Sequence, residues 1–187
     1  MRIISGKFKG KKILRPNDQK TRPLRDLVKE SIFNLIHHSK KVNLEIDHAN
    51  VLDLFSGCGS FGLECISRNA KKVTFVENYR EILIILKKNI QNLNVLKNFE
   101  IIGEDCFDFI KNKQNSVKNK YDLIFLDPPY KEKKVNFLLD NIKENELLNK
   151  DGLIIIHRHK KDDLTLSKKY MILDERNYGI SKIIFAN

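Results

Sequence analysis

Cysteine is scarce in this chain and poorly spaced for either of its structural uses. Cys58, Cys65 and Cys106 are the only three in 187 residues, an odd number without a C-x-x-C pair, which argues against a disulfide framework and against a zinc site. Histidine does not compensate. His37 and His38 are adjacent at a helix end and His157 and His159 alternate at a strand end, so they are read as structural or surface residues, with no metal expected. No apolar run approaches the roughly 18 residues that a membrane span needs, so no membrane partner is expected. Met1 leads into alternating basic and apolar residues, not an apolar stretch, so neither is a signal peptide; the expected location is cytoplasmic. Internal repeats and domain linkers are absent too. A length of 187 residues with 41% hydrophobic content suits a single core, carried by a monomer.

Acid is missing above all from the N-terminus. Residues 1–25 hold nine basic side chains against Asp18 alone, which is +8 of the total +11, and the other 162 residues carry +3. Lysine outnumbers arginine 27 to 8, so part of the basicity is compositional, yet four of the eight arginines lie in this stretch, which lysine bias does not produce. Gly6 and Gly10 mark a small hairpin with Phe8 at its tip. Arg2, Lys7, Lys9, Lys11, Lys12, Arg15, Arg22 and Arg25 are read as an electrostatic grip on RNA phosphates, with a solvated, poorly ordered terminus as the alternative. Lys131, Lys133 and Lys134 extend that surface.

Periodicity organises the rest. Leu24, Leu27, Val28, Ser31, Ile32, Leu35 and Ile36 fall at helical spacing and predict a helix over 24–38 that packs on the main domain. Strands are expected at about 51–55, 72–76, 99–102, 122–126 and 152–157, alternating with helices that include about 60–69 and 79–92, the pattern of a parallel sheet covered on both faces. The last pair, about 169–174 and 180–185, lacks an intervening helix and predicts an antiparallel hairpin. Residues 111–120 read as a polar loop with little order of its own. The expected fold is α/β, a doubly wound Rossmann-like sheet, mostly parallel, with an antiparallel C-terminal hairpin and a basic N-terminal extension. Residues 1–40 are assigned to the arm and its helix, and 41–187 to a catalytic domain.

Two loops carry chemistry. Asp53-Leu-Phe-Ser-Gly-Cys-Gly59 runs from the first strand into a glycine-rich turn that opens a helix; with Gly62 its glycines satisfy G-x-G-x-x-G, which fits a nicotinamide dinucleotide or S-adenosylmethionine. Asp53 separates the two. A carboxylate beside a pyrophosphate repels it in a poorly solvated crevice, whereas S-adenosylmethionine brings a cationic amine and a sulfonium and no phosphate. Asp53, Phe55, Gly57 and Gly59 are therefore read as cofactor-binding. Glu77, 20 residues beyond Gly57 at the end of the second strand, is placed to accept from both ribose hydroxyls. Asp105 is read as a partner of the adenine amine, with Glu104 as a competing candidate and against the alternative that Asp105 caps a helix.

The second loop is Asp127-Pro128-Pro129-Tyr130, directly after an apolar strand. A carboxylate and a backbone carbonyl can together accept both hydrogens of a planar amine, the prolines stiffen the turn that aims them, and Tyr130 offers a ring for a base to stack on. Asp127, Pro128, Pro129 and Tyr130 are the expected catalytic residues. The amine is a weak nucleophile because its lone pair is delocalised; acceptors on its hydrogens favour the pyramidal form and stabilise the developing charge. The proton then leaves to Asp127 or to water.

These residues together resemble the bacterial 16S ribosomal RNA guanine-N2 methyltransferases of the RsmD type, within the class I S-adenosylmethionine-dependent methyltransferases. The similarity runs nearly end to end, through the opening Met1 to Gly10, Thr21-Arg-Pro-Leu-Arg-Asp-Leu-Val-Lys-Glu-Ser-Ile-Phe33, the Asp53 to Gly59 turn, Leu126-Asp-Pro-Pro-Tyr130 and Arg176-Asn-Tyr-Gly179. The family more often has Phe at Tyr130, and an acidic residue is common near His157. The resemblance implies S-adenosylmethionine as cofactor, methylation of the exocyclic N2 amine of a guanine in small-subunit ribosomal RNA, and ribosomal RNA or an assembling small-subunit particle as partner. An adenine-N6 or other base-amine methyltransferase, a non-catalytic RNA-binding assembly factor and, last, a nicotinamide dehydrogenase are the alternatives.

Overall fold

The computed structural model describes residues 1–16, 24–112 and 120–187. Seven strands form one sheet: β1 Asn50–Leu54, β2 Lys72–Val76, β3 Phe99–Ile102, β4 Tyr121–Leu126, β5 Leu148–His159, β6 Ile172–Tyr178 and β7 Ser181–Ala186. Five helices connect them: α1 Asp26–His38, α2 Ser60–Ser67, α3 Arg80–Asn92, α4 Cys106–Asn112 and α5 Val135–Glu144. The strand order is β3-β2-β1-β4-β5-β7-β6, with β7 antiparallel to both neighbours and the remaining pairs parallel. The chain winds outward from β1 in one direction through β2 and β3, then returns to place β4 on the other side of β1. That reversal opens a crevice at the carboxyl ends of β1 and β4. None of the described helices is long and apolar enough to cross a membrane.

The strand sequences are nearly continuous apolar runs because both faces of the sheet are covered. Val51, Val73, Phe75, Leu123, Phe125, Leu153, Ile155, Ile183 and Phe185 join the core beneath α1, α2 and α3. Leu52, Leu54, Ile124, Leu126, Ile154, Ile156 and Ile184 join the core beneath α4 and α5. Successive residues alternate between the two, as the pleat requires. Phe61 on α2 stacks on Phe125 at 3.9 Å between centroids, which packs the first turn of that helix on β4.

Several expected boundaries shift. β5 and β6 are longer than anticipated, and β6 begins three residues later; the polar residues Asp174 to Asn177 are tolerated because β6 is an edge strand. The buried face of α1 is Val28, Lys29, Ile32, Phe33 and Ile36, while Leu27 is 67% exposed. Lys29 turns the helix: its ammonium is buried, donates 2.7 Å to the Arg2 carbonyl and pairs with Glu64 of α2 at 3.3 Å. Burial pushes the Lys29 pKa down, and Glu64 opposes the shift.

The same carboxylate anchors the N-terminal hairpin. Glu64 Oε2 accepts from the Ile4 N–H at 2.7 Å and Oε1 from the Ser5 N–H at 2.9 Å. Arg2 and Lys12 pair across the hairpin, and Gly6 and Gly10 turn it with φ of +79° and +83°. Phe8, at the tip of the hairpin, is half-buried and packs on the core, with its N–H donating to Ser67 Oγ at 3.0 Å. Gly6 is obligatory on a second count, since a Cβ there would run into the Ser67 carbonyl oxygen. Ile3 and Ile13 are buried in the same core as Phe61 and Leu123, so the hairpin is docked along its length.

Candidate active site

Leu54 and Leu126 are register partners, so the two loops that follow them leave the sheet side by side. The Asp127 N–H points to the Leu54 carbonyl at 3.4 Å. The glycine turn and the Asp127-Pro-Pro-Tyr130 loop therefore occupy adjoining positions on one sheet edge.

On the β1 side, Phe55 takes a φ of +57°, donates its N–H to Cys106 Sγ at 3.2 Å and meets the Phe107 ring edge-on. Gly57 has a φ of +55°, and a Cβ built on it would meet nothing within 4 Å, so this face of the turn opens into space. Gly59 caps α2 at a φ of +85°. Asp53 is 1% exposed and accepts from the Gly62 N–H at 2.9 Å, which ties the strand to the helix across the turn. Burial pushes the Asp53 carboxyl well above the usual carboxylate range, against that hydrogen bond, and the nearby Asp127 and Glu77 carboxylates push it further. Ser56 Oγ is buried with no hydrogen-bond partner among the described residues. Burial also raises the Cys58 thiol to about 11, which makes it a poor nucleophile at neutral pH.

The two outer acids do more than await a ligand. Glu77 Oε2 accepts from the Gly57 N–H and Oε1 from the Tyr79 N–H, both at 2.9 Å, so this carboxylate braces the turn directly. Each oxygen retains a second lone pair. Asp105 caps α4 through the Phe107 N–H at 2.8 Å and accepts from Asn78 Nδ2 at 3.0 Å. Asn89 of α3, 1% exposed, accepts from the Leu14 N–H at 2.8 Å and donates to the Leu14 and Cys58 carbonyls at 3.0 and 2.9 Å. It joins the end of the N-terminal segment to the glycine turn.

On the β4 side, Pro128 is buried, Pro129 exposed, and Asp127 and Tyr130 are half-buried. The loop is held from β5. Arg158, 2% exposed, donates to the carbonyls of Pro129 at 3.1 Å, Tyr130 at 3.3 Å and Glu132 at 2.8 Å, and pairs with Asp162 at 2.6 Å. His157 Nδ1 lies 2.8 Å from Asp127 Oδ1. The Tyr130 ring stands edge-on to His157 and His159, at 6.0 and 5.0 Å between centroids. Neither His157 nor Arg158 is a site residue on sequence grounds. A signal was present: Leu123-Ile-Phe-Leu-Asp127 and Leu153-Ile-Ile-Ile-His157 are equal apolar runs ending in a polar residue, and they pair in register.

Of the eight expected RNA-gripping residues, Arg2, Lys7, Lys9, Lys11, Lys12, Arg15 and Arg25 are exposed, and Arg22 lies outside the described residues. An acid-lined crevice beside a turn with room above Gly57 and an orphaned Ser56 hydroxyl fits a cationic, hydroxyl-rich ligand such as S-adenosylmethionine better than a pyrophosphate.

The family model described as conserved hypothetical protein 95 matches residues 1–187. Ribosomal RNA small subunit methyltransferase D of Haemophilus influenzae is 35% identical over 181 residues, covering 96% of this chain and 90% of that protein. The protein of the same name from Buchnera aphidicola subsp. Acyrthosiphon pisum is 32% identical over 174 residues, covering 93% and 86%. A solved Haemophilus influenzae protein, provisionally described as a methylase, has a TM-score of 0.77 at 32% identity and covers 99% of this chain and 96% of that one.

Proposed function

Since the chain belongs to the conserved hypothetical protein 95 family, the RsmD type that its motifs resemble, we propose that it transfers a methyl group from S-adenosylmethionine to the exocyclic N2 amine of a guanine in 16S ribosomal RNA. The observation that carries the proposal is the register of β1 with β4, which sets the glycine turn and the Asp127 loop side by side on one sheet edge. Class I architecture and curated relatives named as small-subunit ribosomal RNA methyltransferases support it.

The backbone of Gly57 and Gly59, with Phe55, Ser56, Glu77 and Asp105 around it, would hold the cofactor; Asp53, buried on the Gly62 N–H, would shape the turn, and the Glu77 and Asp127 carboxylates would favour the cofactor's positive charge. Bound there, S-adenosylmethionine supplies an electrophilic methyl group. Asp127 and the Pro128 carbonyl accept the two hydrogens of the substrate amine, which localises its lone pair and stabilises the positive charge that develops on nitrogen. Arg158 fixes the carbonyls of the following residues, so the acceptors hold their places without reorganising. Tyr130 stacks on the base, which has to be unpaired or flipped for its amine to be reached. Residues 1–40 act as the RNA-engaging part of the molecule and 41–187 as the catalytic part.

The test is incubation of the purified protein with radiolabelled methyl donor and total RNA from a strain lacking the gene, followed by nucleoside analysis. N2-methylguanosine in 16S RNA is the expected product. Label in N6-methyladenosine would move the chain to the adenine-amine reading, and no label together with no S-adenosylmethionine binding would leave an assembly factor.

A further inference from the structure

A buried relay runs from the last strand to the catalytic loop: Ser181 at the start of β7, His157 near the end of β5, and Asp127. Ser181 and His157 are 4% and 2% exposed. Ser181 Oγ lies 2.9 Å from His157 Nε2, and His157 Nδ1 lies 2.8 Å from Asp127 Oδ1. All three sit on the sheet face beneath α1, α2 and α3, because positions 123, 125 and 127 of one strand and 153, 155 and 157 of the next alternate together. The imidazole also abuts the Tyr130 ring edge-on, so one side chain touches both ends of the amine-holding loop.

The hydrogens can be assigned from the partners. A carboxylate only accepts, so the nitrogen facing Asp127 carries a hydrogen. A serine hydroxyl can donate into the lone pair of the other nitrogen, which fixes the neutral ring as the Nδ1–H tautomer. We propose that His157, its Nδ1–H directed at Asp127 and its Nε2 anchored by Ser181, is the positioning residue that holds the Asp127 carboxylate and the Tyr130 ring in the orientation the substrate amine requires. The inference rests on the amine-methylation reading and names a residue that acts for that reaction through Asp127 without touching the substrate. The fixed N–H stops the carboxylate from rotating about its Cβ–Cγ bond, and a rotated carboxylate would misdirect its lone pairs from the amine hydrogens. The logic is that of a ligand whose outer partner orients it, where removing the partner typically costs about 10-fold to 100-fold.

Two measurements test it. In protein labelled with nitrogen-15 at histidine, the resonance that disappears in His157→Asn identifies His157 in the wild type; its long-range couplings are expected to show the hydrogen on Nδ1, and Ser181→Ala, which removes the partner of Nε2, to shift the Nε2 resonance with the hydrogen still on Nδ1. A wild-type His157 with its hydrogen on Nε2 alone overturns the inference whatever the activity. In the RNA methylation assay, His157→Gln and His157→Leu are expected to lower kcat by about tenfold or more with KM for RNA and for S-adenosylmethionine within about twofold. His157→Asn keeps an N–H near the place of Nδ1 and is expected to recover most of kcat. Equal kcat losses in the Asn and Leu variants, or a KM effect without a kcat effect, overturn the inference while leaving the methyltransferase reading intact. Wild-type protein that binds RNA but methylates none of it removes that reading, and the positioning role falls with it.

Discussion

At Gly57 the backbone is bent for a visitor: its φ is positive and the space where a side chain would stand is open. Gly57→Ala is therefore expected to cost about 1 to 2 kcal/mol of stability for the left-handed backbone, and to lower S-adenosylmethionine affinity by a larger factor than that strain accounts for, because the new methyl group enters the crevice. Calorimetric titration beside a thermal melt separates the two effects. Asp127→Ala should abolish methyl transfer while leaving cofactor affinity within a few-fold, since the Asp127 side chain belongs to the neighbouring loop; near-normal turnover would remove the clamp from the mechanism. Tyr130→Ala should weaken RNA binding by about 1 to 3 kcal/mol if its ring stacks on the base, with Tyr130→Phe much milder. That Asp53, Gly57, Glu77 and Asp127 stand at one sheet edge was legible from sequence, because each lies at or just beyond the end of an apolar strand within a local motif. His157, Arg158 and Ser181 were not, since their roles depend on partners more than 20 residues away that only the β4, β5 and β7 registers bring close.

Among the elements, the N-terminal hairpin departs most from its sequence appearance. Its basic residues and glycines suggested a hairpin that grips RNA, with a poorly ordered terminus as the alternative, and nothing in them announced that Ile3, Ile13, Glu64 and Lys29 dock it on α1 and α2. Glu64→Ala leaves the Lys29 ammonium and two hairpin amides without their acceptor, and should cost about 3 to 5 kcal/mol, the usual scale for breaking a buried ion pair from one side. A denaturant titration measures the destabilisation, and faster exchange of the Ile4 and Ser5 amides locates it. Gly6→Ala should free the hairpin in the same way through its collision with Ser67, while Gly10→Ala, with open space around it, should cost only the backbone strain. The central strands β1, β2 and β4 read closely because burial on both faces leaves an apolar run, whereas the polar edge strand β6 offered no such run and was placed three residues early. The α1 stripe read less well: a helical pattern locates apolar residues but cannot foresee that a lysine will find a buried carboxylate.

For the molecule as a whole, charge and chemistry divide the surface. The seven described basic residues of the N-terminal region are exposed, while three acids, Asp53, Glu77 and Asp127, gather at the crevice. Charge reversal at Lys9, Lys11 and Arg15 should weaken RNA binding and flatten its salt dependence by roughly 0.7 to 0.9 log units of slope for each phosphate no longer neutralised; filter binding across a salt series measures this, and an unchanged slope would place the RNA elsewhere. The two regions meet at Asn89, whose single oxygen and two hydrogens are all committed, to both backbone groups of Leu14 and to the Cys58 carbonyl. An aspartate there would keep the shape and reverse the sign of two of the three contacts, setting carboxylate oxygen against carbonyl oxygen. The leading strap and the glycine turn are fastened by one knot, and undoing it would slacken both.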